Sequence, residues 1–147
     1  MLSRLANVTF ILMTMLATAA FAEDRTVNVI VNIDVKTEEL TPAQLRKIFS
    51  MRQTVWPDGQ AITVFVLKTE NPTHQALCKN VLRMFPYQIE RLWNKLAYSG
   101  LGDKPIELDN VQEMLKKVST TPGAIGYMLD GSSTESVKTI RIMENSK

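Results

Sequence analysis

A single cysteine and a single histidine in 147 residues leave little for metal or nucleophilic chemistry. Zinc sites are built from three or four ligands, mostly Cys and His, and this chain owns neither set. One cysteine also excludes an internal disulfide. The phosphate-cradling P-loop, the dinucleotide fingerprint and the serine elbow are all missing. His74 and Cys78 lie four residues apart, close enough to touch on a helix. A nucleophile, however, also needs an oriented base and an oxyanion pocket, and nothing local supplies them. A shared structural edge is the reading that follows, with Cys78 a small buried hydrophobe and pairing between molecules the minor alternative. The chain is therefore read as a non-enzyme, with no cofactor and no metal. An excess of charge is lacking too: 17 Lys and Arg face 15 Asp and Glu, a bias too weak to call for nucleic acid or an anionic membrane surface. There are no internal repeats, no low-complexity segment and no interdomain linker.

The chain opens on an apolar run broken only by Asn7, Thr9 and Thr14. Arg4 precedes an apolar run from Leu5 to Leu16, and Ala20-Phe21-Ala22 then gives the small-x-small pattern of a cleaved export leader. The run is too short for a membrane span. Residues 1–22 are thus expected to be a signal peptide cleaved after Ala22, which places the chain in the periplasm. Glu23 to Lys147 is enough for one compact domain with a real core.

Taken in order, Val27 to Ile33 alternates as a mostly buried strand. Leu40-Thr41-Pro42-Ala43-Gln44-Leu45 gives a full helix start, with Thr41 as N-cap, Pro42 at the first position and Gln44 closing a capping box. Leu45, Ile48 and Phe49 form its inward stripe. Ser50 to Gln60 is a loop carrying Trp56 and the turn Pro57-Asp58-Gly59. After the central stretch, Pro86 opens a helix with Ile89, Leu92, Trp93 and Leu96 at helical spacing, which Gly100 ends. Leu101 to Pro105 is a loop. Asp109 or Asn110 caps a fourth helix striped by Val111, Met114, Leu115 and Val118. Ala124 to Leu129 and Val137 to Ile142 are strands, the first with a glycine inside that implies close approach or a bulge. Trp56, Trp93 and Tyr127 are expected to be structural. The order β-α-β-α-α-α-β-β specifies an α/β layer structure.

The central stretch is Ala61 to Phe85. A buried strand, Ala61 to Leu67, feeds the polar loop Lys68-Thr69-Glu70-Asn71-Pro72 and then a helix from Thr73 to Phe85. Leu77, Cys78, Val81, Leu82 and Phe85 share one face of that helix. A strand running into a helix this way aims unpaired N–H groups and the positive end of the helix dipole at the sheet's rim. Open α/β sheets place ligand crevices at that rim. Lys68, Thr69, Asn71, Thr73 and His74 are the candidate ligand-binding residues, against the plainer reading of an ordinary capped helix.

Across Asn32 to Met128 the pattern resembles one lobe of the periplasmic phosphate-binding proteins of ABC transporters. The resemblance rests on Leu40-Thr41-Pro42-Ala43-Gln44-Leu45-Arg46-Lys47-Ile48-Phe49, Val55-Trp56-Pro57-Asp58-Gly59 and Trp93. It continues in Gly100-Leu101-Gly102-Asp103-Lys104-Pro105-Ile106 and Pro122-Gly123-Ala124-Ile125-Gly126-Tyr127. It implies a single binding-protein lobe, a mixed β-sheet with helices packed on both faces. It also implies a small oxyanion such as phosphate as ligand, and a membrane transporter or sensor component as partner. Where that family presents Ser-Gly-Thr to phosphate, this chain has Asn71-Pro72-Thr73, and the glycine expected after Phe49-Ser50 is Met51. The alternative is a protein-interaction module that reuses the lobe, pairing with a partner or with itself.

Overall fold

Five of the six side chains in strand β1 (Val27–Asn32) are buried, as befits a strand covered on both faces. β1 is the hub of a computed structural model that describes residues 25–131 and 135–144. The expected leader, residues 1–22, lies outside the described residues. β5 (Ala124–Leu129) runs antiparallel to β1, with Val27 opposite Leu129 and Val31 opposite Ile125. β6 (Val137–Thr139) flanks β1 on its other side, also antiparallel. β3 (Thr63–Leu67) is parallel to both β5 and β4 (Ile106–Leu108). The result is a mixed sheet in the order β4-β3-β5-β1-β6, beside a small parallel pair of β2 (Glu39–Leu40) and β7 (Arg141–Ile142).

Helix α1 (Pro42–Phe49) starts as its residues dictate: Thr41 Oγ1 accepts the Gln44 N–H at 3.2 Å, and Gln44 Oε1 accepts the Thr41 N–H at 2.8 Å. α2 (Pro72–Ala76) continues directly into a π-helical stretch, Leu77–Leu82. α3 (Pro86–Tyr98) and α4 (Val111–Thr120) complete the set. Gly126 shows how the layers close. A Cβ placed there would lie 2.4 Å from Met114 Sδ and 2.9 Å from Val118 Cγ2, so α4 rests on that face of β5. The next side chain along a strand points the other way. Tyr127 accordingly meets Phe49 of α1 and His74 of α2, at ring-centroid distances of 5.9 Å and 6.0 Å. Trp93 of α3 joins them, its indole N–H donating to the Phe49 carbonyl at 2.7 Å. The chain is an α/β layer structure with helices on both sheet faces, as expected.

The differences from expectation are local. The helix foreseen from Thr73 to Phe85 ends at Leu82, where Arg83 turns left-handed (φ 53°). Phe85 consequently leaves the core and becomes the exposed residue that precedes α3. The central strand starts at Thr63 instead of Ala61, because Ala61 bridges back to Val55 across the Pro57-Asp58-Gly59 turn. β2 and β4, two and three residues long, are too short to show a period. The last expected strand divides at Ile140 to serve two sheets. Ile33 falls in an exposed turn past the end of β1. Met51 takes φ 63°, a left-handed conformation that favours glycine.

Gly123 is the junction of the Trp56 loop with the sheet. Its carbonyl accepts the Trp56 indole N–H at 3.0 Å, and its N–H donates to Asp34 Oδ1 at 3.2 Å. Its φ is +72°, and an added Cβ would meet the Ala61 carbonyl oxygen at 2.2 Å. Gly123→Ala should therefore destabilise the protein by about 2–4 kcal/mol, from left-handed strain plus a clash that backbone must relieve. Urea unfolding checks this; an unchanged midpoint would contradict the packing described.

Candidate functional site

β3, β4 and β5 are parallel, so their C-terminal ends share one rim of the sheet, the position where open α/β sheets hold ligands. Lys68 follows β3 and Asp109 follows β4. Lys68 Nζ and Asp109 Oδ1 form an ion pair at 2.9 Å with both side chains largely exposed. Asp109 holds the Lys68 ammonium above its ordinary pKa, with Glu107 and Glu70 adding to the effect. The rim cation is thus shared among carboxylates.

α2 opens on this rim. Asn71 is its N-cap, accepting the Thr73 N–H on Oδ1 at 2.9 Å, and the Gln75 N–H reaches the Asn71 carbonyl at 3.1 Å. The Asn71 N–H goes back to the Lys68 carbonyl at 2.9 Å. Pro72 has no N–H to give. That accounting leaves the His74 N–H as the first-turn donor with no partner among the described residues, and the Thr73 hydroxyl likewise has none. Thr69 lies half-buried in the turn between Lys68 and Asn71. Lys68, Thr69, Asn71 and Thr73 thus occupy the loop and helix start that follow β3.

The His74 side chain goes elsewhere. It is 1 % exposed, on the core side of α2. Its Nδ1 lies 2.6 Å from the Tyr127 hydroxyl, and its Nε2 lies 3.5 Å from Cys78 Sγ. The Tyr127 oxygen already accepts the Leu67 N–H at 2.7 Å. The Tyr127 hydroxyl thus bonds both the end of β3 and the imidazole, and the thiol lies against the other ring nitrogen. Burial pushes the imidazole down to about 4, with Glu70 pulling only weakly the other way. The same burial pushes the Cys78 thiol up to about 12 and raises the Tyr127 phenol. A neutral imidazole beside a firmly protonated thiol is the reverse of an activated nucleophile. The group is a structural brace joining the end of β3, the middle of β5 and α2. Sequence spacing indicated the His74–Cys78 contact. Tyr127, 53 residues from His74, carried no local signal.

No protein-family model matches the chain, and no curated protein matches it by sequence. Solved structures do match in fold, and the fold they define is one lobe of a periplasmic binding protein. The crystal structure of an ABC-type phosphate transport receptor from Vibrio cholerae superposes with a TM-score of 0.63 at 19% identity, over 80% of this chain and 46% of that one. A protein described as a phosphate ABC transporter substrate-binding protein, with bound phosphate, from Clostridium perfringens gives 0.65 at 18%, over 80% and 45%. PstS from Borrelia burgdorferi gives 0.61 at 15%, over 80% and 47%. The chain spans less than half the length of these structures. Among the described residues no helix is long and apolar enough to cross a membrane.

The buried imidazole makes acid stability a direct readout of this site. Below its ordinary value of 6.5 the unfolded chain's His74 takes up a proton that the folded chain refuses until about 4. The unfolded state then binds more protons, so stability falls as pH drops through that window and is unaffected by this group above it. The loss should be on the order of 3 kcal/mol by pH 4. His74→Gln, which cannot titrate, should remove this component, so that its stability relative to wild type rises as pH falls. Parallel stability–pH curves for the two proteins would show that His74 is not held neutral.

Proposed function

We propose that the chain is an exported, non-catalytic recognition lobe that takes a small oxyanion, phosphate first among candidates, at the start of α2. The observation that carries this reading is a helix start at the strand C-terminal rim whose His74 N–H and Thr73 hydroxyl have no partner among the described residues, with Lys68 in the loop that leads into it. Oxyanions favour helix N-termini because N–H groups and the positive dipole end meet there. The likeness to structures that include one with bound phosphate supports the same ligand class. Export to the periplasm, with residues 1–22 as leader and Glu23 to Lys147 as one domain, is supported by Arg4, the apolar run and Ala20-Phe21-Ala22. Onward delivery to a membrane transporter or sensor component follows the likeness to an ABC-type transport receptor.

The affinity of such a site is modest. The N–H of Thr73 is already committed to Asn71, and Lys68 is already paired with Asp109, with the field of Glu107 and Glu70 adding to it. Exposed ion pairs open readily, so Lys68 can exchange Asp109 for a ligand oxygen. A second reading, a protein-interaction module, is favoured by the exposed aromatic side chains of Phe85 and Tyr87.

Titration with inorganic phosphate and sulfate, followed by calorimetry and amide chemical shifts, tests the oxyanion reading. Dissociation constants of ~10 μM to 1 mM are expected, with shifts at Asn71, Thr73 and His74. Lys68→Ala combined with Thr73→Ala should abolish binding while the protein stays folded. Asp109→Asn, which frees Lys68, should tighten it. No heat and no shift at millimolar anion would overturn the oxyanion reading.

A further inference from the structure

α2 begins at the rim, and the opposite end of its continuation carries a second feature that owes nothing to the anion site. Where the π-helical stretch ends, left-handed Arg83 turns the chain through Met84 and Phe85 into Pro86. A groove of about 710 Å³ lies there, lined by Gln75, Lys79, Arg83, Met84, Phe85 and Pro86. Gln75, Lys79 and Arg83 supply its polar side. Met84, Phe85 and Pro86 supply the apolar part. A second hollow of about 290 Å³ shares Met84 and adds Arg46, Lys47 and Arg52, with Leu92 as a further apolar group.

The linings of the two hollows hold five cations and no carboxylate. In a chain whose 17 basic and 15 acidic residues nearly balance, this is segregation of charge. Among the described residues Arg83 lies 3.7 Å from exposed Glu144, and Arg46 donates to the Leu82 carbonyl at 3.3 Å, both long contacts. Beside them, Phe85 and Tyr87 are 63% and 57% exposed and stack at 5.6 Å with their planes 12° apart. A stacked aromatic pair in water, beside a recess that Arg83 also lines, has the composition of a protein-docking hot spot.

We infer that this groove docks an acidic segment of a partner protein. An apolar side chain of that segment seats on Met84 against the Phe85–Tyr87 stack, and its carboxylates meet Lys79, Arg83 and the Arg46–Arg52 cluster. Arginine suits carboxylates because its planar fork can donate two parallel hydrogen bonds. The recess favours a peptide chain, which can lay a side chain into it, over the broad surface of a bilayer.

The probe is a synthetic peptide alternating glutamate with leucine and phenylalanine, titrated into the isotope-labelled protein. Controls are the same peptide with glutamine for glutamate, and phosphatidylglycerol vesicles. Saturable shifts are expected at Met84, Phe85 and Tyr87, with the glutamine peptide binding about tenfold more weakly or worse. Lys79→Glu with Arg83→Glu should weaken the acidic peptide by about tenfold or more while leaving the melting temperature and the phosphate response near Thr73 unchanged. The inference is overturned by no shift at millimolar peptide or equal binding of the glutamine peptide. Shifts confined to other surfaces, or binding to vesicles but not to peptide, would overturn it as well.

Discussion

The Tyr127 hydroxyl is the contact on which the arrangement of this lobe depends. It accepts the N–H of Leu67, the last residue of β3, and hydrogen-bonds the imidazole of His74 on the first turn of α2. The residues between those two points, Lys68 to Thr73, form the candidate rim loop. One buried oxygen therefore fixes both ends of the loop that the functional reading concerns. Phe49 and Trp93 close over the contact from α1 and α3, and water is excluded from all three groups. In such surroundings a satisfied polar network specifies one geometry, and losing a member leaves buried groups unpaired.

What could be read from the sequence follows from the range of each interaction. Thr41, Pro42 and Gln44 announce α1 because a capping box is complete within four residues. Pro86 and Gly100 bracket α3 for the same reason. The placement of Phe85 could not be read, because its spacing continues the apolar stripe of α2, whereas a π-helical stretch and a left-handed Arg83 end that helix first. β4 escaped notice because three residues reveal no alternation, and it owes its place to pairing with β3. Of the candidate rim residues, Lys68, Thr69, Asn71 and Thr73 were legible as a loop and a cap. The core-facing side chain of His74 was not, because its partner Tyr127 lies on a strand brought in by the fold.

The rim and the groove divide the electrostatics of the molecule. At the start of α2, Glu70, Glu107 and Asp109 gather around Lys68. At the far end of the same helical run, the linings carry only positive charge. The compositional balance that argued against a polyanionic partner is thus an average over two unlike surfaces. The proposed anion site and the proposed docking groove therefore lie on surfaces of different charge.

Tyr127→Phe tests most directly whether the hydroxyl contact holds the rim in place. The substitution keeps the ring and removes one oxygen, leaving the Leu67 N–H and His74 Nδ1 without their partner. The expected result is a loss of about 2–4 kcal/mol in chemical denaturation, together with faster amide exchange from Lys68 to His74. Stability within about 0.5 kcal/mol of wild type, with exchange at the rim unchanged, would contradict it.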